Sequence, residues 1–178
     1  MDIIDTERLR LLPLTHTQLK LSRTNPDHIA HELNLTLDPT LFIDVVIMRA
    51  IKIKIERMEH ISEHLHNWYT YWLIVIRANN TGVGLIGFKG EPGIQGKYDH
   101  IGEVEISYGI APAHRCQGYT TEAARALIAW GFNDPDCHAV IAAEVLKSNR
   151  PSQRVLQKLG MRLYSETEET QCWRIDKA

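Results

Sequence analysis

The chain turns on Ile106-Ser107-Tyr108-Gly109-Ile110-Ala111-Pro112-Ala113-His114-Arg115-Cys116-Gln117-Gly118-Tyr119-Thr120-Thr121-Glu122-Ala123, a strand, a short loop and a helix in succession. Glu103 to Ile110 alternates as a strand and is halted by Ala111-Pro112. Thr121 to Phe132 reads as a helix starting at Thr120 or Thr121, with Ala124, Leu127, Ile128 and Gly131 on one face. A helix start exposes unpaired backbone N–H groups and the positive end of the dipole, which suit a phosphate or pyrophosphate. Gly118 lets the backbone come close to such a group, and Arg115 adds charge-assisted hydrogen bonds. A plain strand–loop–helix connection with a threonine cap fits the same residues.

Downstream, Ala139 to Val145 reads as a buried strand. Asn149 to Leu159 reads as a helix with Pro151 in its first turn and Gly160 past its end. Met161 to Ser165 and Gln171 to Asp176 are further strands. Upstream, Tyr69 to Ala78 and Val83 to Lys89 form a hairpin about Asn79-Asn80-Thr81-Gly82. Gly90 to Gly102 is an irregular excursion. Glu7 to Leu14 is a strand ended by Pro13, and Thr15 to Arg23 a short helix capped by Thr15 or Thr17. From Asp38-Pro39 to His66 the spacing of Val45, Met48, Lys52 and Ile55 predicts one long helix, although Ile51 to Ile55 also alternates like a strand.

The chain has 178 residues, 44% hydrophobic and 24% charged, the balance of a folded domain spanning 1–178. Twenty Lys and Arg against 22 Asp and Glu give a formal net charge of −2, so no global basic field recruits nucleic acid or an anionic membrane. Cys116, Cys137 and Cys172 form neither a CxxC pair nor a zinc spacing, which suits a reduced, cytoplasmic setting. The start, Met1 to Glu7, is acidic and does not read as a signal peptide. Trp68 to Ala78, the most apolar run, is too short to span a bilayer.

Arg115-Cys116-Gln117-Gly118-Tyr119-Thr120 resembles the acetyl-CoA signature Gln/Arg-x-x-Gly-x-Gly/Ala of the GNAT N-acetyltransferases. Ile110-Ala111-Pro112 and Thr121-Glu122-Ala123 resemble its ribosomal-protein N-terminal (alanine/serine) acetyltransferase branch. So does a second block, Asn149-Arg150-Pro151-Ser152, Val155-Leu156 and Lys158-Leu159-Gly160-Met161. The likeness covers roughly Val83 to Ser165 and the N-terminal third only by its pattern of elements. One departure stands out: Thr120 occupies the usual Gly/Ala position, where its methyl crowds a diphosphate or its hydroxyl donates to it. The second reading is preferred because Thr also suits a helix cap.

The resemblance implies a mixed α/β fold, with a mostly antiparallel twisted sheet of about six or seven strands, a splayed parallel pair and flanking helices. Residues 1–67 would form the acceptor side, and 68–178 the hairpin, the acetyl-CoA core and the last strands. The pantetheine arm of acetyl-CoA would pair with the backbone of Tyr108, Gly109 and Ile110, where a freed N–H polarises the thioester carbonyl. Arg115, Cys116, Gln117, Gly118, Tyr119, Thr120 and Thr121 would hold the diphosphate, and Asn149 and Ser152 would also contact the cofactor. Asn149 equally suits a cap. Ser152 aligns with a serine that protonates the departing thiolate, and it too reads as a helix cap. The tyrosine that many members use instead is Leu156 here. Glu105, on one face with Glu103 and Ser107, is the candidate general base, acting through water, or a salt-bridged edge carboxylate. The partners implied are acetyl-CoA and an amine, from a protein N-terminus or a small molecule, with the chain a monomer or homodimer.

Other motifs compete. Gly82-Val83-Gly84-Leu85-Ile86-Gly87 satisfies G-x-G-x-x-G, but a turn precedes it and a strand continues through it. His60-Ile61-Ser62-Glu63-His64 matches H-x-x-E-H, which on a helix puts two histidines and a base on one face and makes a zinc hydrolase the remote alternative. The favoured reading has no metal. A catalytically degenerate acyl-CoA-binding module is the nearer alternative, motivated by Thr120 and the absent tyrosine. Cys116 reads as a reactive thiol in the phosphate loop or as filler. Trp68, Tyr69, Tyr71 and Trp72 read as packing residues.

Overall fold

A computed structural model describes residues 2–92 and 101–178. Its first elements are β1 (Ile4–Asp5), β2 (Leu9–Pro13), α1 (His16–Ser22), α2 (Pro26–Glu32), β3 (Thr36–Leu37) and α3 (Val45–Met58). After a 3-10 turn at Glu63–Leu65 come α4 (His66–Tyr69), β4 (Trp72–Ile76), β5 (Thr81–Phe88) and β6 (Glu103–Ile110). A second 3-10 turn at Pro112–His114 leads into α5 (Tyr119–Phe132), β7 (Ala139–Leu146), α6 (Arg150–Lys158), β8 (Arg162–Glu166) and β9 (Thr170–Asp176). Among the described residues the nine strands make one mixed sheet ordered β1-β2-β4-β5-β6-β7-β9-β8, with β3 beside β5. The two strands beyond the expected six or seven are β1 and β3, of two residues each, too short to carry an alternating pattern. Of the expected excursion from Gly90 to Gly102, residues 93–100 lie outside the described residues.

Both faces of the sheet are covered at its centre. β4 shows this residue by residue: Trp72, Ile74 and Ile76 enter a core shared with α5 and α6, while Leu73 and Val75, with Tyr71 just before the strand, enter a second core shared with α1, α2 and α3. A strand buried on both faces reads as a continuous apolar run, which is what Trp72-Leu73-Ile74-Val75-Ile76 is. Trp68, Trp72, Phe88 and Trp130 pack together in the first core, with Trp68 and Trp130 ring centroids 4.6 Å apart. These aromatics are packing residues, as their spacing suggests. The glycines of the G-x-G-x-x-G run also have a packing role: a Cβ at Gly84 would lie 2.7 Å from the Gly109 carbonyl oxygen, so glycine there lets β5 and β6 close together.

The long helix expected over 38–66 is corrected to α3, Val45–Met58. Asp38 Oδ1 accepts from the Thr40 N–H and hydroxyl, forming a local turn, while its Oδ2 faces His114 Nε2 at 3.2 Å, and Asp44 caps α3 by accepting from the N–H groups of Val46 and Ile47. The buried stripe is Ile51, Lys54, Ile55 and Met58 rather than the face led by Val45, which is 81% exposed. Thr15 caps α1 in a full capping box with Gln18, as its sequence allows. Among the described residues no helix is long and apolar enough to cross a membrane.

β6 and β7 are parallel and pair only at Glu103, Val104 and Glu105, against Ala139, Val140 and Ile141. Beyond that point β6 stays zipped to β5 through Ile110, while β7 bulges between Ala142 and Val145, with Glu144 at φ 55°. The two strands therefore part in the middle of the sheet, and the end of β6 leads through the 3-10 turn into α5.

Candidate active site

The loop into α5 leaves a helix N-terminus without a side-chain cap. Cys116 and Gly118 both take left-handed backbone angles, φ 60° and 82°, on either side of Gln117. Gly118 is itself the cap residue of α5 and brings no side chain to the exposed N–H groups, and the first bond into the helix runs from Glu122 N to the Gly118 carbonyl. The threonine-cap reading is thereby corrected: the helix begins at Tyr119, and Thr120 and Thr121 lie inside its first turn. A capping hydroxyl would have occupied these donors, and its absence here leaves the N–H groups of Tyr119, Thr120 and Thr121 to a ligand. Arg115, Cys116, Gln117 and Gly118 are all exposed, so the loop is open to solvent.

One contact to this loop comes from far away in sequence. Arg8, between β1 and β2, directs Nη1 to the Gln117 carbonyl at 2.9 Å and both Nε and Nη2 to Glu122 Oε2 at 2.7 and 2.6 Å. Glu122 Oε1 also accepts from the Thr6 hydroxyl and the Arg8 N–H. Burial opposes ionisation of Glu122, but these hydrogen bonds and the guanidinium outweigh it and hold the carboxyl below the usual range. Sequence reading has no signal for Arg8 beyond its charge.

The parted strands open a cleft of about 260 Å³ lined by Glu105, Ser107, Tyr108, Ala142, Val145 and Ser152 among others. Lys89 N donates to the Glu105 carbonyl and Ala111 N to the Val83 carbonyl, so the odd-numbered residues of β6 bond to β5. By the alternation of an antiparallel ladder, the backbone N–H and C=O groups of Tyr108 and Ile110 point the other way, towards the cleft. They are suited to pair with the amides of an extended arm, and Gly109 between them bonds to β5. With the uncapped helix alongside, the residues present fit acetyl-CoA.

Two pairs of side chains flank the cleft. Glu105 is mostly buried and ion-paired to Lys89 Nζ, so its salt-bridge reading is realised, and both residues line the cleft. Ser152 sits in the first turn of α6, where Asn149 does the capping by accepting the Ser152 N–H at 3.2 Å. That frees the Ser152 hydroxyl, which meets the Tyr108 hydroxyl at 2.9 Å. Burial pushes the Tyr108 phenol up, and its bond to Ser152 offsets this only in part, so it stays protonated at neutral pH. The Tyr108 hydroxyl adds a proton-bearing group to the site; the sequence assigns Tyr108 only backbone contacts. Leu156, standing where many GNAT members have tyrosine, is fully buried in the core.

The zinc constellation lacks its helix. α3 ends at Met58, His60 lies in the turn that follows, and Glu63 and His64 belong to a 3-10 turn, so the two histidines do not sit one α-helical turn apart on a common face.

A family model described as an acetyltransferase (GNAT) domain matches residues 8–162. The uncharacterized N-acetyltransferase YjdG of Bacillus subtilis is 29% identical over 178 residues, covering 97% of this chain and 97% of its own. Among solved structures, the ribosomal-protein-S5-alanine acetyltransferase of Vibrio fischeri is similar with a TM-score of 0.65 at 14% identity, over 99% of this chain and 97% of that one. The ribosomal L7/L12 α-N-protein acetyltransferase RimL, solved in complex with coenzyme A, has a TM-score of 0.65 at 13% identity, over 98% of each chain. At such identities the likeness is one of fold.

Proposed function

Since this chain belongs to the GNAT acetyltransferase family and is an N-acetyltransferase, we propose that it passes the acetyl group of acetyl-CoA directly to an α-amino group, of a protein N-terminus or a small molecule, within a ternary complex. The observation that carries this reading is the parting of β6 from β7 beside an α5 N-terminus that no side chain caps. Acetyl-CoA supplies the acetyl group as a thioester. The N–H groups from Cys116 to Thr121, with Arg115, hold its diphosphate, and the backbone of Tyr108 and Ile110 aligns its arm.

The acceptor class follows from proton inventory. At pH 7.5 an α-amine with a pKa near 8 is already about a quarter neutral, whereas a lysine near 10.4 is neutral in roughly one molecule in a thousand. Glu105, the carboxylate at the cleft, is tied to Lys89, so it gives limited help in taking a proton through water. That favours an acceptor needing little help, the class also named for the ribosomal-protein neighbours. On the opposite wall the Ser152 hydroxyl, backed by Tyr108, delivers a proton to the departing thiolate.

Thiol release from acetyl-CoA, measured against peptides with free N-termini, polyamines, aminoglycosides and amino acids, tests the reading. Turnover with α-amines is expected; coenzyme A binding with no turnover on any amine would leave the degenerate module instead. Ser152→Ala should lower kcat about tenfold, a modest loss because a thiolate of pKa about 8.5 departs tolerably unaided. Tyr108→Phe should do the same to a smaller degree, and coenzyme A affinity should hold in both variants. Unchanged kcat in both would remove the Ser152 assignment. Glu105→Gln should cost about tenfold below pH 8 and little above pH 9, where the amine is neutral without aid. Full activity of this variant across the range would exclude Glu105 as base.

A further inference from the structure

Arg8 makes more contacts to the diphosphate loop than a surface ion pair would need. Its guanidinium grips Glu122 with two N–H groups and the Gln117 carbonyl with a third, and it lies 4.9 Å from the centre of the Tyr119 ring. The residues it touches, Gln117, Tyr119 and Glu122, bracket Gly118, and a Cβ placed on Gly118 would come within 3.3 Å of Arg8 Nη2. Each contact bears on an anion. Gln117 lies between two left-handed residues, and with its carbonyl oxygen drawn to Arg8 that oxygen cannot turn towards a phosphate. Glu122 places a carboxylate in the first turn of the helix that receives the negative charge, where it would repel a diphosphate unless neutralised.

We infer that Arg8 is a positioning residue for the donor substrate: it neutralises Glu122 and holds the Gln117 carbonyl outward so that the loop presents only N–H groups to the diphosphate. This rests on the proposed diphosphate site. The arrangement makes the N-terminal segment part of the donor site, although Arg8 is separated from Gln117 by more than a hundred residues.

The test compares wild type, Arg8→Ala, Arg8→Lys and Arg8→Ala/Glu122→Gln. Coenzyme A affinity is read by titration calorimetry, and turnover is measured with acetyl-CoA and with S-acetylpantetheine, which lacks the diphosphate. Arg8→Ala should weaken coenzyme A at least tenfold and raise KM for acetyl-CoA while kcat at saturation holds within about twofold. Its preference for acetyl-CoA over S-acetylpantetheine should fall at least tenfold. Arg8→Lys should recover part of the affinity, and so should the double variant, in which the uncompensated carboxylate is gone. Equal losses with both donors would mark a general structural role and overturn the inference, as would unchanged coenzyme A affinity in Arg8→Ala. If wild type itself fails to bind coenzyme A, the proposed function falls and Arg8's role with it; if wild type binds and the variants match it, only the inference about Arg8 falls.

Discussion

Gly118→Val should weaken coenzyme A binding by at least a hundredfold, with Gly118→Ala intermediate and far-ultraviolet circular dichroism unchanged for both. Gly118 sits at φ 82° as the cap of α5, a conformation that costs an ordinary L-residue roughly 1–2 kcal/mol and a β-branched one more. Any Cβ there also presses on Arg8 Nη2 at 3.3 Å. Arg8 can yield by a few tenths of an ångström, but the backbone strain is relieved only by rotating the loop, which turns the N–H groups away from the diphosphate, so the loss should appear in affinity before it appears in fold. Calorimetric titration with coenzyme A measures it. A Gly118→Val protein binding within about threefold of wild type would show that the diphosphate does not approach here.

The second large effect concerns stability. Lys54, on α3, is 6% exposed and donates to the carbonyls of Tyr69 and Phe88, with its ammonium 4.5 Å from the centre of the Tyr71 ring. Burial, aided by the nearby charges of Arg57 and Lys89, pushes its pKa down to about 7. In the unfolded chain it returns to about 10.4. Between these values the unfolded chain holds a proton that the folded protein does not, so folding stability rises with pH across the window, by up to about 1.4 kcal/mol per unit. Below pH 7 both states are protonated and this contribution is flat. Urea unfolding of wild type and Lys54→Met at pH 6.5 and 9.5 isolates the effect, because other groups titrate alike in both proteins. The gap, wild type minus variant, should move in favour of wild type by about 3 kcal/mol at the higher pH. A gap constant to within about half a kcal/mol would mean that Lys54 keeps an ordinary pKa.

Sequence reading succeeds where chemistry is local. The strand from Glu103 to Ile110, the loop at Gly118 and the helix from Asn149 are each written in contiguous residues, because strand alternation, a left-handed glycine and an Asn-Pro helix start are short-range demands. The start of α3 is ambiguous for the same reason. Asp38 and Asp44 are equally good caps in sequence, and the capture of Asp38 by Thr40 and by the distant His114 decides between them. The α2 helix has a usable signal in Asn25-Pro26, which caps and opens it. Contacts between distant residues leave no such trace. Arg8 and Glu122 are 114 residues apart and Tyr108 and Ser152 are 44 apart; Ser152 and Glu122 stand out in sequence by their motifs, but nothing there pairs Ser152 with Tyr108 or Glu122 with Arg8. Lys54 misleads more strongly, since a lysine on an amphipathic helix is expected to face solvent, yet two open carbonyls at the ends of α4 and β5 draw its amine inward.

The most direct measurement is a crystal structure with coenzyme A bound. The diphosphate should lie within hydrogen-bonding distance of the N–H groups between Cys116 and Thr121, and the pantetheine amides should pair with the backbone of Tyr108 and Ile110, with the sulfur near Ser152. A nucleotide seated elsewhere, or a cleft between β6 and β7 left empty at saturating coenzyme A, would contradict the account.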